Sequence, residues 1–261
     1  MMKPTLPKVA LFLATILAPV TGLGAQVLET ETARLPKGGG IVLGQNFEFQ
    51  TSNTGTEFAL PTSLEFGLTD RLELLMEPVA YTAIRPKEGA HATGVGDLET
   101  TLTYLAHREG TGSPAVALAG EIKFPTAKNS LIGSGETDYT GYLIVSKRFG
   151  RLDTHANFGY TVLGQPEGAS VSNTFNGALA FEYGLGSQSE LFAEALGVTS
   201  AAPGEAAGSE NPVAPELGGS ELVGTLGFGT SIGSALFVSL GISYDNTQAV
   251  LLRPGFIVKL H

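Results

Sequence analysis

The sequence has no cysteine and no tryptophan, and after its first two dozen residues it has no apolar run of about 18 residues. Without cysteine there is no disulfide framework, no thiolate metal site and no attachment point for a lipoprotein anchor. Without a long apolar run there is no inner-membrane helix bundle. Charge is scarce as well: Asp, Glu, Lys and Arg make up 15% of the chain, against roughly 25% in an average soluble domain. What charge there is leans one way, with 25 acidic against 15 basic residues, a net charge of -10 and a pI near 4.9. That balance excludes the clustered basic surface a nucleic-acid partner requires.

Catalytic and metal-binding patterns are equally thin. The four histidines, His91, His107, His155 and His261, form no pair at i, i+2 or i, i+4, and no acidic run has calcium-loop spacing, so the sequence offers no metal site and implies no cofactor. No helix pattern follows Gly133-Ser134-Gly135, so that cluster reads as an outer loop rather than a phosphate cradle. Only His155 sits inside a motif, beside Asn157 on one strand face; a serine such as Ser239 or Ser243 would have to reach it from another strand, and no spacing demands that. The chain does not read as an enzyme.

What remains is diffuse apolarity. Mean hydropathy is +0.16 without long apolar runs, and 35 glycines suit tight turns and crowded interior positions. Residues 1–25 read as a cleaved signal peptide, with Lys3 and Lys8, an apolar run from Val9 to Val20, and the small residues Gly22-Leu23-Gly24-Ala25 before the cut. Residues 26–39 form an N-terminal segment of no evident pattern, and 40–261 read as one domain.

Within that domain, apolar and polar residues alternate. Phe58, Leu60, Thr62, Leu64, Phe66 and Leu68 share one face while Glu57, Ser63, Glu65 and Gly67 share the other; after Thr69-Asp70-Arg71 the pattern resumes with Leu72, Leu74 and Met76 against Glu73, Leu75 and Glu77. Strands are expected at 40–50, 56–68, 71–83, 94–106, 114–125, 137–149, 154–164, 172–184, 189–199, 219–230, 235–245 and 249–260. Most are about 10–13 residues long, enough for a tilted strand to cross a bilayer, whereas globular strands average about 5–6 residues.

Alternation alone cannot separate a soluble sandwich from a barrel, but strand length and loop parity can. The expected fold is therefore all-β: a single antiparallel transmembrane β-barrel of about 12 strands. Connections after even strands are mostly short, as at Thr69-Asp70 and 150–153, and those after odd strands mostly longer and polar, as at 126–136 and 200–218. Short periplasmic turns with longer extracellular loops are the mark of a bacterial outer-membrane protein. The connections at 106–113 and 246–248 depart from that parity. With no Trp, interfacial anchoring falls to tyrosines such as Tyr81, Tyr104, Tyr139, Tyr183 and Tyr244.

If the apolar faces meet lipid, the polar faces line a lumen. Its expected lining includes Glu65, Glu73, Asp97, Glu99, Glu121, Lys123, Glu182, Glu194, Glu221 and Arg253, an acidic set with few basic partners. Such a lumen concentrates cations, or its carboxylates pair across strands, Glu121 with Lys123 or Arg253, to stabilise a filled barrel.

Several short motifs occur in order: Gly94-Val95-Gly96-Asp97-Leu98, Glu121-Ile122-Lys123-Phe124-Pro125-Thr126, Gly133-Ser134-Gly135 with Asp138-Tyr139, Ser146-Lys147-Arg148-Phe149-Gly150, and His155-Ala156-Asn157-Phe158-Gly159-Tyr160. In these the chain resembles the transporter-like outer-membrane family of the MetA pathway of phenol degradation, from about Gly40 to the C-terminus and most densely between Gly94 and Tyr160. Where that family often has Pro-Thr-Gly, this chain has Pro125-Thr126-Ala127. The resemblance implies a barrel that moves small molecules, aromatic or otherwise hydrophobic, and it carries no catalytic set. The expected function is an outer-membrane channel working on a small-molecule solute among outer-membrane lipid. The alternative is a non-conducting structural or adhesin-like barrel that acts through its extracellular loops.

Overall fold

Long alternating strands become a membrane-compatible object only if every ladder is closed, because a bilayer offers no water to an unpaired backbone group. The computed structural model describes residues 28–168, 170–201 and 220–260, and its strands form one closed antiparallel sheet. The expected leader at 1–25 and most of the 200–218 connection lie outside the described residues.

In chain order the ladder segments are β1 (Ile41–Asn46), β2 (Glu48–Thr51), β3 (Gly55–Thr69), β4 (Leu72–Pro86), β5 (Ala92–Gly94), β6 (Leu98–His107), β7 (Ala115–Phe124), β8 (Asp138–Phe149), β9 (Leu152–Val162), β10 (Thr174–Gly184), β11 (Ser189–Val198), β12 (Glu221–Ile232), β13 (Leu236–Asp245) and β14 (Val250–Lys259). β1 and β2 are two halves of one barrel strand, since both pair with β3 and with β14; β5 and β6 are likewise two halves of another, both paired with β4. Fourteen segments thus make twelve strands. The seam closes where Val42 to Asn46 pairs with Lys259 to Gly255, and at the interruption the N–H of Phe47 still donates to Pro254 O at 2.9 Å.

Both ends of the sheet, Ile41 and Lys259, lie at one rim. The same rim carries the connections at 70–71, 108–114, 150–151, 185–188 and 233–235, and the opposite rim carries those at 52–54, 125–137, 163–173 and 246–249. The first rim is therefore periplasmic. At 150–151 the hairpin has only two residues between Phe149 and Leu152, and Gly150 holds φ 63°, the positive value such a turn demands at its first position. The long 108–114 connection has a role: Glu109 reaches back to bond the N–H of Arg148.

Outside, the exposed side chains are apolar. Phe158, Phe175, Leu179, Phe181, Leu226, Leu240 and Ile242 are among them, with Leu226 70% exposed. Tyr104 and Tyr183 stand exposed near the periplasmic ends of their strands, and Tyr81, Tyr139, Tyr160 and Tyr244 toward the other end. This belt with aromatic borders is the surface of an outer-membrane barrel. Inside, the buried side chains are polar or small: Thr101, Thr140, Ser146, Asp153, Asn157, Thr225 and Ser243, with Ala117 and Ala180.

Two large aromatics also point inward and are seated on glycine. A Cβ at Gly227 would overlap the ring of Phe192, and one at Gly229 would overlap the ring of Phe237, while both rings are almost wholly buried and have nowhere to go. Gly229→Ala should therefore destabilise the barrel by about 1–3 kcal/mol. Gly224→Ala on the same strand, where a Cβ meets nothing within 4 Å, should leave it nearly unchanged. The midpoint of denaturant unfolding in detergent micelles compares the two, and equal midpoints would refute the seating role.

Candidate functional site

The lumen of a twelve-stranded barrel is wider than its own side chains fill, and here a piece of the chain occupies it. Residues 28–35 run inside the barrel from mid-height down to the periplasmic rim, where Gly38 and Gly39 bond the 67–70 corner and the chain turns into β1. The N-terminal segment, patternless as sequence, is this internal strap.

The wall holds the strap by backbone groups as well as by charge. The N–H groups of Glu29 and Thr30 both donate to Glu194 Oε1 at 3.2 Å, and the N–H of Ala33 donates to Ser146 Oγ at 2.9 Å. The side-chain amide of Asn157 pairs with Glu31 as a strand would, donating to its carbonyl at 2.8 Å and accepting from its N–H at 2.7 Å. Arg34 forms a two-pronged pair with Asp153 at 3.0 and 2.7 Å and reaches Glu109 at 2.6 Å. Burial alone would raise the Glu109 carboxyl, but the Arg148 N–H together with Arg34 and Lys147 outweighs it and holds the group below its ordinary range. At the inner end, Glu29 pairs with Arg253, whose Nε lies 3.1 Å from Glu48. Leu28 packs on Ala180 and Phe192 and fills the space over Gly241. Ala33 joins Leu105, Ala115, Ala117 and Ile144 in the largest interior apolar cluster.

Two cavities of about 310 Å³ each remain beside the strap, sharing Glu29 and the 196–198 stretch as their border. The first is lined by Glu31 of the strap and by Glu65, Glu73, Glu77, Glu99 and Glu121 of the wall, with Tyr142 and Asn176. The second is lined by Glu48, Glu221, Asp245 and Arg253, interleaved along the strands with Leu196, Val198, Val223 and Leu251.

The ten residues singled out in the sequence therefore fall into separate groups. Glu65, Glu73, Glu99 and Glu121 share the first cavity, and Glu221 and Arg253 the second. Glu194 receives the strap. Glu182 is buried 3.7 Å from His155 Nε2. Asp97 and Lys123 anchor the loop at 125–137: Asp97 Oδ1 accepts from the N–H of Ala127 at 2.9 Å, Thr126 Oγ1 donates to Gly96 O at 2.8 Å, and Lys123 bonds Asp138 at 2.5 Å and Ser134 at 3.2 Å. Three of the five sequence motifs, those at 94–98, 121–126 and 133–139, thus converge here, with Ala92, Ala127 and Ile132 packed beneath the loop. Glu121 pairs with neither Lys123 nor Arg253; Thr101 Oγ1 and Tyr142 Oη, each 3.4 Å away, donate to it instead.

His155 does find a serine, but from β8 rather than β13. Ser146 Oγ lies 2.8 Å from His155 Nδ1, whereas Ser243 bonds Thr225 at 2.8 Å. Both His155 and Ser146 are buried under Ala33, so the pair is closed to any solute while the strap is in place. Among the described residues no group of three or more acidic or histidine side chains is arranged to hold a metal ion.

Missing from the sequence reading are Glu29, Glu31 and Arg34. The alternation Glu29-Thr30-Glu31-Thr32 with no apolar face, directly before a barrel, was the available signal for a polar strand facing a polar wall.

Comparison with known structures agrees with this architecture. The COG4313 outer membrane channel from Pseudomonas putida F1 superposes with a TM-score of 0.66 at 12% identity, over 90% of this chain and 100% of that one. The NanC porin gives 0.58 at 13% identity, over 84% and 100%, and the KdgM porin in complex with disordered oligogalacturonate gives 0.56 at 10% identity, over 84% and 99%. No curated protein matches the sequence. The family model described as "Putative MetA-pathway of phenol degradation" matches residues 36–248, and the chain belongs to that family of outer-membrane β-barrels.

Proposed function

We propose that this protein is an outer-membrane channel for small neutral or cationic solutes, whose path is the acidic lumen beside the internal strap. One observation carries the reading: seven carboxylates line the first cavity, Glu29 on its border among them, while Arg34, Lys123 and Arg253 are each already held in ion pairs. Facing carboxylates in a narrow, low-dielectric tube attract cations and repel anions, the logic of charged rings in pores. The family's association with phenol degradation adds aromatic compounds to the solutes such a path would carry, and the structurally similar proteins named as channels and porins support transport over adhesion. The reading assigns no catalysis, since the one Ser–His contact of the interior lies beneath the strap, and it sets the apolar belt in outer-membrane lipid.

The strap sets the width of the path, and its periplasmic end is its strongest hold. Replacing Arg34 removes a bidentate charge-assisted pair worth about 2 kcal/mol, which shifts the balance between a seated and a released strap by about thirtyfold. Arg34→Ala is expected to give larger and noisier single-channel steps than wild type in a planar bilayer, and identical steps would show that the strap does not limit the path.

In a salt gradient, wild-type channels are expected to prefer cations. The triple variant Glu73→Gln, Glu77→Gln, Glu99→Gln should move the cation-to-anion permeability ratio toward unity. A folded, inserted barrel that conducts nothing would overturn the channel reading and turn attention to the loops, and a ratio unchanged in the triple variant would remove these carboxylates from the path.

A further inference from the structure

The outer face of the wall carries a feature that the lumen does not explain. The pairing of β4 stops at Pro78 with Leu98 and resumes only at Thr82 with Gly94. Between that break and the 125–137 loop lies a groove of about 430 Å³, lined by Thr93, Gly94, Val95, Lys128, Asn129 and Ser130. Phe49, Phe58, Ala83 and Thr93 stand opposite one another on successive ladder segments. Phe49 is 48% exposed on the lipid side, so the whole row faces outward. Tyr81 and Arg85, two residues to either side of Ala83, share its face, as Val95 shares that of Thr93. The ring of Phe58 lies 4.9 Å from that of Phe49 and 6.2 Å from that of Tyr81.

Three cations border this apolar row at its extracellular end. Arg85 closes the row, Lys87 follows with its N–H donating to Thr54 O at 2.8 Å, and Lys128 lines the groove. All three side chains are exposed, and among the described residues none makes an ion pair or a side-chain hydrogen bond; Glu88, in the same connection, pairs with none of them. Elsewhere Arg34, Lys123, Lys147, Arg148 and Arg253 are each matched by a carboxylate. An unmatched positive corner on a chain of net charge -10 suits an anion. Arg85 can hold a phosphate with two parallel N–H groups, and Lys87 and Lys128 can hold one as point charges. The groove opens on the lipid side, above exposed aromatics, so its occupant joins phosphate to hydrocarbon. A bacterial outer leaflet is built of such a molecule, a phosphorylated diglucosamine with acyl chains below it.

We propose that this outer flank is a docking site for the phosphorylated glycolipid of the outer leaflet, lipid A, with its phosphates on Arg85, Lys87 and Lys128 and its acyl chains along Tyr81, Val95, Phe58 and Phe49. The site lies outside the lumen and does not depend on the channel reading. A lipid seated there covers the sector of the wall where the ladder loses its bonds.

The test refolds the full mature chain in micelles, adds diphosphoryl lipid A, and counts the lipid retained on the barrel by native mass spectrometry. Wild type should keep lipid A and should lose it when the phosphates have been removed enzymatically. The triple variant Arg85→Gln, Lys87→Gln, Lys128→Gln should weaken retention by about tenfold. A control with the same change of charge at the periplasmic rim, Lys37→Gln, Arg71→Gln, Arg151→Gln, should retain lipid A as wild type does. Lys128→Gln alone, which should also weaken retention, decides the matter if the triple variant does not fold, as judged by heat-modifiable migration on a gel. Wild-type retention in the folded triple variant would overturn the proposal, as would equal loss in the control or equal retention of the dephosphorylated lipid. Displacement of lipid A by an equal concentration of inorganic phosphate would overturn it too, leaving a plain anion site, and a dimer of the chain in place of the lipid adduct would make the flank an interface between copies.

Discussion

Everything in this molecule follows from the cost of an unpaired peptide group in hydrocarbon. The chain meets it by closing its first strand on its last, and where the ladder is interrupted it repairs the gap locally, as at Phe47 with Pro254 and at Gly96 with Val79. With backbone needs met within the wall, side chains are free to invert the usual arrangement, apolar outward and polar inward. A lumen lined by Glu, Asp, Thr and Ser is then a consequence of the exterior rather than a separate design.

A polar lumen twelve strands wide cannot be filled from its own wall, and the strap answers that need. It brings backbone donors to Glu194 and Ser146, a strand-like edge to Asn157, and one arginine to Asp153 and Glu109. It also brings acid of its own, Glu29 and Glu31, to a wall already rich in carboxylates. The strap thus narrows the path while sharpening its charge.

The strands were legible in the sequence because alternation is a local property: the segments around Phe58, Phe175 and Leu236 fall within a few residues of their positions in the barrel, and the twelve-strand count stands because β1 with β2 and β5 with β6 are each one strand broken at a bend. The partners of individual charges were not legible. Lys123 lies two residues from Glu121, on the same face of β7, yet its ion pairs are with Asp138 of β8 and Asp97, which the barrel's curvature brings within reach. His155 meets Ser146 because β8 and β9 are joined by a two-residue turn that sets those residues opposite each other. The strap was invisible for a different reason: it has no partner strand of its own, and its bonds run to four separate strands of the wall, β8, β9, β11 and β14, as far along the chain as Arg253.

The wall itself is not uniform. The β3–β4 register slips between Ala59 and Pro61, and the β4 pairing that ends at Pro78 with Leu98 resumes only at Thr82 with Gly94. Prolines supply no N–H, so these gaps leave fewer donors stranded against lipid than other residues would. A closed barrel resists deformation as a hoop does, through the tension its seams can carry around the circumference. Two neighbouring seams that both lose bonds at one height form the soft sector of that hoop, and any change in the cross-section, from round toward oval, is concentrated there, on the flank of the loop that Asp97 and Lys123 tie down.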